Sequence, residues 1–260
     1  EPHNSKFFDL AHIPFHPITK PNIARTIDKS SVFYPKIKPV LEIAMDSATN
    51  QSHSATNQSE SEASFQEEKN KTLSKTTAAE VADAPFVYAE RQLLTTALTR
   101  IHLFEKILDV QGAIVECGVH KGNSLFLYYH LSSILEPYNF KRKIVGFDTF
   151  DGFRSLSSND DEHWSESDFS NTSYDTLLQW SNIHDKNKAV PHIPKIDLIK
   201  GDATETIPQY VSDNPHLMIA MLYLDFDLYA PTDVALKHLL PLVPKGGIVG
   251  FDEVYCEKWK

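Results

Sequence analysis

The chain has 260 residues, 41% of them hydrophobic, and its formal net charge at pH 7 is −10. This apolar content suffices for a substantial core, whereas the excess of acidic side chains argues against a surface for nucleic acid or anionic membrane. The longest apolar run, residues 217–224, is far shorter than the roughly 20 residues of a membrane-spanning helix. We therefore predict a protein with neither nucleic-acid nor membrane partners.

The two cysteines, Cys117 and Cys256, are too few for a disulfide framework. Both follow or end strand-like runs, so we expect reduced thiols and a cytoplasmic location. Four N-x-S/T triplets favour the alternative of secretion. Such triplets also arise by chance in sequence that is rich in serine, threonine and asparagine, so they carry less weight than the cysteines.

The first 80 residues differ in composition from the rest. Residues 1–45 contain aromatics and prolines without a sustained period, and we interpret them as an N-terminal arm that is either packed on a neighbour or mobile. Residues 46–80 repeat the hexapeptide SATNQS and are polar and low in complexity. This composition predicts a disordered linker. The domain that carries the function is then expected over residues 81–260.

From residue 88 onward, helical and strand-like segments alternate. Apolar residues at helical spacing between Leu94 and Leu108 predict an amphipathic helix that ends near Val110. Five short apolar runs follow, separated by helical segments at 123–135, 174–181, 205–211 and from 231: Ala113–Cys117, Lys143–Phe147, Ile196–Lys200, Met218–Leu224 and Gly247–Phe251. Near-continuous apolar strands separated by helices are typical of an α/β fold with a doubly wound, mostly parallel sheet.

The turn after the first strand reads ECGVHKGNS, residues 116–124. Gly118 and Gly122 allow a tight turn and a close approach of the backbone to a ligand, and Ser124 can cap the next helix. The turn lacks both the G-x-G-x-x-G dinucleotide pattern and the Lys-Ser/Thr of a P-loop, which disfavours a nicotinamide oxidoreductase. We include Glu116, Gly118, Gly122 and Ser124 in the predicted cofactor site, with a purely structural turn as the alternative.

Two further aspartates follow strands two and three. Asp148 stands where an acidic residue can accept hydrogen bonds from both ribose hydroxyls of a nucleoside, or else serves as a turn or cap residue. Asp202 can accept from an adenine amine, with the Ala203 backbone beside the ring. For Asp202, an N-cap of the next helix is almost equally consistent with the sequence.

Two acidic clusters end strands four and five, with Asp225 in the first and Asp252 and Glu253 in the second. Carboxylates brought together at one sheet edge repel each other unless a cation holds them, and Mg²⁺ favours oxygen ligands. The alternative is a set of solvated loop carboxylates. Asp227, two residues after Asp225, is more consistent with capping the following turn than with binding metal.

These loops together resemble the macrocin O-methyltransferase family. The resemblance covers about residues 88–258 and rests on five blocks in order: ECGVHKGNS, GFDTFDGF, KGDATETIP, YLDFDLYAPT and PKGGIVGFDE. Members are class I, Rossmann-like enzymes that use S-adenosyl-L-methionine to methylate hydroxyls on sugars of natural products. The resemblance implies that Glu116 and Gly118 lie by the methionine part of the cofactor, Asp148 by the ribose, and Asp202 and Ala203 by the adenine.

The same resemblance places the metal ligands, with Mg²⁺ as the expected ion, on Asp225, Asp252 and Glu253. Glu253 stands where the family commonly has aspartate, which keeps the charge but lengthens the side chain. We expect Asp225 to be both a metal ligand and the catalytic acceptor of the hydroxyl proton. The implied partner is a small-molecule sugar or polyol, and the protein itself is a possible homo-oligomer.

Three features leave alternatives open. The segment 154–172 is long enough for a substrate lid, or is a disordered insertion, and His120 either touches ligand or faces solvent. A complete class I sheet has seven strands, and this sequence predicts that the C-terminal strands are missing. Because of that expectation, a non-catalytic domain that keeps the fold for S-adenosylmethionine binding or assembly is the alternative function.

Overall fold

The computed structural model describes residues 55–154, 156–160 and 164–252. The predicted N-terminal arm, Cys256 and Glu253 lie outside these residues. The chain divides into two compact units at Ala89 and Glu90. None of the described helices combines the length and the apolar character that crossing a membrane requires.

The described part of the first unit, residues 55–89, has three helices: α1 (Ala55–Leu73), α2 (Ala78–Asp83) and α3 (Pro85–Tyr88). The helical state of α1 and α2 departs from the disordered linker expected for this segment. The stretch 55–73 is polar but contains neither glycine nor proline, so local helix propensity is not interrupted. Helix α2 begins with a capping box, in which Thr77 and Glu80 each accept the other's backbone N–H.

The second unit is built on a five-stranded parallel sheet, which confirms the predicted fold class. The strands are β1 (Ala113–Cys117), β2 (Ile144–Asp148), β3 (Ile196–Lys200), β4 (Ile219–Leu224) and β5 (Ile248–Phe251). Their order in the sheet is β3-β2-β1-β4-β5, and each neighbouring pair runs parallel. The order reverses between β1 and β4, which is where open α/β sheets bind their ligands.

Helices cover both faces of this sheet. They are α4 (Arg91–Lys106), α5 (Asn123–Leu135), α6 (Tyr174–Asp185), α7 (Ala203–Asp213) and α8 (Tyr229–His238), followed by a 3₁₀ turn at Leu240–Leu242. Alternate residues of β1 enter different cores: Ile114 packs in the cluster of α4, α5 and α6, and Val115 in the cluster of α7 and α8. The period of two along the strand therefore explains why a continuous apolar run builds two cores.

Arg142 holds the turn before β1 in place. Its buried guanidinium donates to the carbonyl oxygens of Ile107, Val110 and Gly112 at 2.8–3.0 Å, and it forms an ion pair with Glu136 at 2.8 Å. Four acceptors compensate for removing this charge from water. The start of the central strand β1 is thus fixed by a residue that lies two positions before the neighbouring strand, β2.

Candidate active site

A cleft opens at the carboxyl ends of the strands. It encloses about 1020 Å³, including the part open to solvent, and its walls come from the loops after β1, β2, β3 and β4. Seven of the residues predicted for the site line it together: Glu116, Gly118, Ser124, Asp148, Asp202, Ala203 and Asp225. Gly122 is not among the lining residues. It has φ +81 at the start of α5, and a Cβ there would meet the side chains of Leu177 and Phe126. Its placement therefore agrees with the purely structural turn that the sequence left as the alternative.

Gly118 joins the two central loops of the cleft. Its φ is +93, and a Cβ at this position would lie 2.0 Å from the carbonyl oxygen of Asp225. In turn, the Asp225 amide donates to the carbonyl oxygen of Cys117 at 2.8 Å. Only glycine allows this approach, so the loop after β1 and the loop after β4 pack backbone against backbone.

Glu116 is a buried carboxyl group at the floor of the cleft. It is 2% exposed, and its Oε2 has no hydrogen-bond partner among the described residues. Burial raises its pKa to about 8; Arg100 opposes the shift, and the carboxylates of Asp225, Asp148 and Asp252 add to it. An unpartnered buried acid is costly, and a cationic or hydrogen-bonding ligand in the cleft would satisfy it.

Asp148 is committed to the backbone of the loop it faces. Its Oδ2 accepts the N–H groups of Val119 and His120 at 2.8 Å each, and its Oδ1 accepts that of Phe150 at 2.7 Å. The carboxylate thus shapes the loop after β1, which is the turn role left open by the sequence. Since Oδ1 keeps one acceptor site, contact with a ribose hydroxyl remains a prediction.

Asp202 caps helix α7. Its Oδ1 accepts the backbone N–H of Thr204 at 2.8 Å and the hydroxyl of the same residue at 2.7 Å. This is the N-cap alternative considered from the sequence. Ala203 is buried beside it on the cleft wall, so the adenine contacts of both residues stay a prediction.

Asp225 and Asp252 come together at the ends of β4 and β5. The Asp252 amide donates to the carbonyl oxygen of Leu224 at 3.1 Å, which fixes the two strand ends side by side. Both carboxylates lie 3.7 Å from the same nitrogen, Nη2 of Arg100. Asp252 also accepts a hydrogen bond from the Tyr223 hydroxyl at 3.0 Å.

Arg100 is the residue of this site that the sequence reasoning missed. It lies on α4 and is 2% exposed, on the face that also buries Leu103, Phe104 and Ile107. An arginine in line with buried positions at i+3, i+4 and i+7 is the signal that could have identified it. A charge on a core face is seldom buried without a partner of opposite charge.

A complete metal site is not formed by the residues that the structure describes. Among them, no group of three or more His, Cys, Asp or Glu side chains is arranged to hold an ion. Two of the three predicted ligands, Asp225 and Asp252, do share one cation, which is a guanidinium. Asp227 lines the cleft beside them with φ +58, a turn conformation that aspartate tolerates.

An aromatic cluster contacts the loop after β1. Phe153 lies 5.3 Å from Trp164 and 5.2 Å from Phe169, measured between ring centroids, and the edge of His120 packs on Phe169 at 5.3 Å. The His120 ring also hydrogen-bonds to Asn171 at 2.9 Å. His120 therefore contacts the segment 154–172 rather than only solvent.

The same segment is tied to the acidic side of the cleft. Asp160 accepts the backbone N–H of Tyr229, the first residue of α8, at 2.6 Å, and it also accepts both N–H and O–H of Ser157 at 2.7 Å. The described parts of the segment thus have defined contacts on two sides of the cleft. We call residues 154–172 the lid segment; its role as a substrate lid stays a prediction.

Comparison with known proteins agrees with this architecture. The family model of the macrocin O-methyltransferases (TylF) matches residues 31–258. Two solved structures of CalS11 are similar, one described as calicheamicin methyltransferase (32% identity, TM-score 0.71) and one, without ligand, as TDP-rhamnose 3′-O-methyltransferase (31% identity, TM-score 0.64). Each comparison covers 76% of this chain and 80% of the other.

Among curated proteins, none matches this chain significantly. The family match spans most of the sequence and includes every loop that lines the cleft. The chain belongs to the macrocin O-methyltransferase family and is a methyltransferase.

Proposed function

We propose that this protein transfers the methyl group of S-adenosylmethionine to a hydroxyl of a sugar or small polyol of a natural product, with the help of a divalent cation. The observation that carries the proposal is the buried carboxyl group of Glu116, whose Oε2 has no hydrogen-bond partner among the described residues and which lies in the same cleft as Asp225. The Glu116 side of the cleft thus suits a cationic cofactor, and Asp225 on the other side offers a proton acceptor. The sugar acceptor is supported by the description of CalS11 as a TDP-rhamnose 3′-O-methyltransferase.

The cleft fits the cofactor at its buried end. The Oε2 atom of Glu116 can accept from the α-ammonium group of the methionine part, which would satisfy the buried acid. The free acceptor site on Asp148 Oδ1 suits a ribose hydroxyl, and Asp202 with Ala203 borders the position of the base. The bound cofactor supplies the reactive methyl group, and these residues orient it toward the acidic side of the cleft.

Asp225 is the residue that we expect to accept the proton of the acceptor hydroxyl. A sugar hydroxyl is a weak nucleophile because it is protonated at neutral pH, so a carboxylate within hydrogen-bond reach assists transfer. The Asp225 side chain is 29% exposed on the cleft wall, and the backbone of Gly118 fixes its loop. The Asp225 loop therefore has a fixed position relative to the loop after β1, next to which we place the cofactor.

Two carboxylates of the kind that bind a divalent cation lie close together at the ends of β4 and β5. Asp225 and Asp252 end neighbouring strands and face one nitrogen of Arg100, and both carboxylates are partly open to solvent. We propose that they hold the ion together with Glu253, which lies outside the described residues. A bound Mg²⁺ would lower the pKa of the acceptor hydroxyl.

The acceptor is expected under the lid segment. Phe153, Trp164 and Phe169 present ring faces and edges above the loop after β1, and such surfaces pack well against the apolar face of a sugar. A cytoplasmic location and a homo-oligomeric state remain predictions from the sequence.

The decisive experiment replaces Asp225 with Asn. We expect methyl transfer to a TDP-sugar to fall by about 10² or more, because the variant keeps the shape of the side chain but cannot accept the proton. Binding of S-adenosylhomocysteine, measured by calorimetry, should change by only a few fold. Asp233→Asn is the matched control, since Asp233 lies on α8 in an exposed ion pair with Lys237, and it should leave both quantities unchanged.

Two results would contradict the proposal. A folded wild-type protein that binds neither S-adenosylmethionine nor its product would exclude the cofactor assignment. Binding without turnover of any sugar acceptor, with or without Mg²⁺, would favour the non-catalytic alternative. Full activity of the Asp225→Asn variant would exclude only the assigned role of that residue.

A further inference from the structure

The buried guanidinium beneath the acidic pair has no role in the reaction described above. Arg100 contacts four groups through different atoms. Its Nε donates to the Ser124 hydroxyl at 3.2 Å, its Cζ lies 3.2 Å from the centroid of the Tyr223 ring, and its Nη2 faces both Asp225 and Asp252 at 3.7 Å. These contacts come from three elements besides its own helix, so this one side chain links α4, α5 and the ends of β4 and β5.

We propose that Arg100 is a positioning residue, a permanent counterion that orders Asp225 and Asp252 as a pair and weakens the pair's affinity for a divalent cation. The first part stands on the geometry alone. The second part rests on the proposed function, since it concerns the cation that the carboxylates would hold.

The guanidinium cannot leave when a metal ion arrives. The side chain is 3% exposed, and it is enclosed by the Tyr223 ring on one face and anchored to Ser124 on one edge. Withdrawing it would leave a buried charge without partners, which costs several kcal/mol. A second cation must therefore bind on the solvent side of the carboxylates, where 29% of the Asp225 side chain and 36% of the Asp252 side chain are exposed.

A positive charge that stays behind the ligands repels the incoming ion. The two carboxylates together carry two negative charges, and the guanidinium of Arg100 compensates one of them. At 3.7 Å, charges near a protein surface still interact by several kcal/mol. The pair should therefore bind the ion weakly. In return, the carboxylates keep their relative position when no ion is present, because the guanidinium screens their mutual repulsion.

A second observation concerns the hydrogen-bond donors of the buried guanidinium. Arg100 Nη1 is buried and has no hydrogen-bond partner among the described residues, and the same holds for Oε2 of Glu116. The arginine thus has donor capacity that the described residues do not use. A side chain retained for packing alone would not need a guanidinium here.

The metal-free test is a double-mutant cycle measured in EDTA. Arg100→Gln should lower Tm by on the order of 10 °C, because it leaves two neighbouring carboxylates without their counterion. Adding Asp252→Asn to that variant should restore part of the loss, whereas Asp252→Asn in the wild type should lower Tm. Strict additivity of the two changes would overturn the counterion role.

The Lys variant covers the case in which Arg100→Gln does not fold. Arg100→Lys keeps the charge, but an ammonium cannot stack on Tyr223 and face two carboxylates at once as the planar guanidinium does. We expect an intermediate loss of Tm. An unchanged Tm in this variant would also overturn the proposal.

The metal test titrates Mn²⁺ into each protein and follows the free ion by electron paramagnetic resonance. Arg100→Gln should bind Mn²⁺ about tenfold more tightly than the wild type, and Arg100→Lys should stay near the wild type. Arg142→Gln is the matched control: it also removes a buried arginine and should lower Tm without changing Mn²⁺ affinity. Equal or weaker Mn²⁺ binding by Arg100→Gln would overturn the second part of the proposal.

Two outcomes would distinguish a failure of this inference from a failure of the proposed function. If the coupling in EDTA is present but neither protein binds Mn²⁺ at millimolar concentration, the counterion role is supported and the divalent cation of the proposed function is excluded. If the wild type does not bind and Arg100→Gln does, both parts of the inference are supported and the metal dependence of the natural protein is excluded.

Discussion

At the scale of single residues, burial of the Glu116 carboxyl group makes the stability of the protein depend on pH. Burial raises its pKa to about 8, so in the empty cleft most of this group is protonated at neutral pH. In the unfolded chain the ordinary value of 4.5 applies. The contribution of this group to stability is therefore fully present below pH 4.5 and is lost as the pH rises through the folded value near 8.

Glu116→Gln removes this ionisation and should make the protein more stable at alkaline pH. We expect the variant to gain on the order of 3 kcal/mol relative to the wild type between pH 5 and pH 8, measured by urea unfolding. Glu205→Gln is the control, because it removes an exposed glutamate on α7. A difference between wild type and Glu116→Gln that is the same at both pH values would show that Glu116 is not buried as an acid.

At this scale the sequence predicted positions better than it predicted contacts. The turn pattern located Glu116, Gly118 and Asp148 at strand ends because strand ends are visible as the limits of apolar runs. It could not show that both oxygens of Asp148 bind backbone N–H groups, since this depends on the left-handed turn at His120. Arg100 was missed because its partners come from strands far along the chain.

The lid segment illustrates the limits of prediction at the scale of an element. Its length and its composition of Asp, Ser and aromatics were compatible with a lid or with disorder. The structure gives it contacts on two sides, through His120 with Phe169 and through Asp160 with Tyr229. Both partners lie outside the segment, so no pattern within residues 154–172 could have shown them.

Asp160→Ala should release the lid from α8. The bond from the Tyr229 N–H is lost together with the two bonds from Ser157. We therefore expect about tenfold faster amide exchange at Tyr229 and in the lid, and a higher KM for the acceptor. Asp168→Ala is the matched control, because the Asp168 carboxylate accepts the N–H of Ser165, which lies within the lid. It should speed exchange in the lid and leave Tyr229 unchanged. Unaltered exchange at Tyr229 in Asp160→Ala would show that this bond does not hold the segment.

For the whole molecule, periodicity was sufficient to predict the sheet. Five apolar runs separated by helices predicted a parallel, doubly wound arrangement, and each observed strand lies within the predicted run or differs from it by one residue. Periodicity gave no indication of helix α1, because its segment is polar and low in complexity. It was also silent on Arg142, a buried charge whose acceptors are backbone carbonyls.

Arg142→Gln should destabilise the entire second unit. The change removes three bonds to carbonyl groups and an ion pair with Glu136, and we expect a loss of about 3–5 kcal/mol in the free energy of unfolding. Arg154→Gln, which breaks an exposed pair with Asp151, should cost less than about 1 kcal/mol. Similar losses in the two variants would show that the carbonyl contacts contribute little.

The contact between Gly118 and the carbonyl of Asp225 also has a consequence for the order of folding. The loop after β1 is made early in the chain, but its packing surface is the loop after β4, and β1 pairs with β4 along its whole length. Pairing of strands distant in sequence is slow, because the intervening chain must first lose its freedom. The wall of the cleft that these two loops form is therefore completed only when β4 has paired with β1, late in the folding of the second unit.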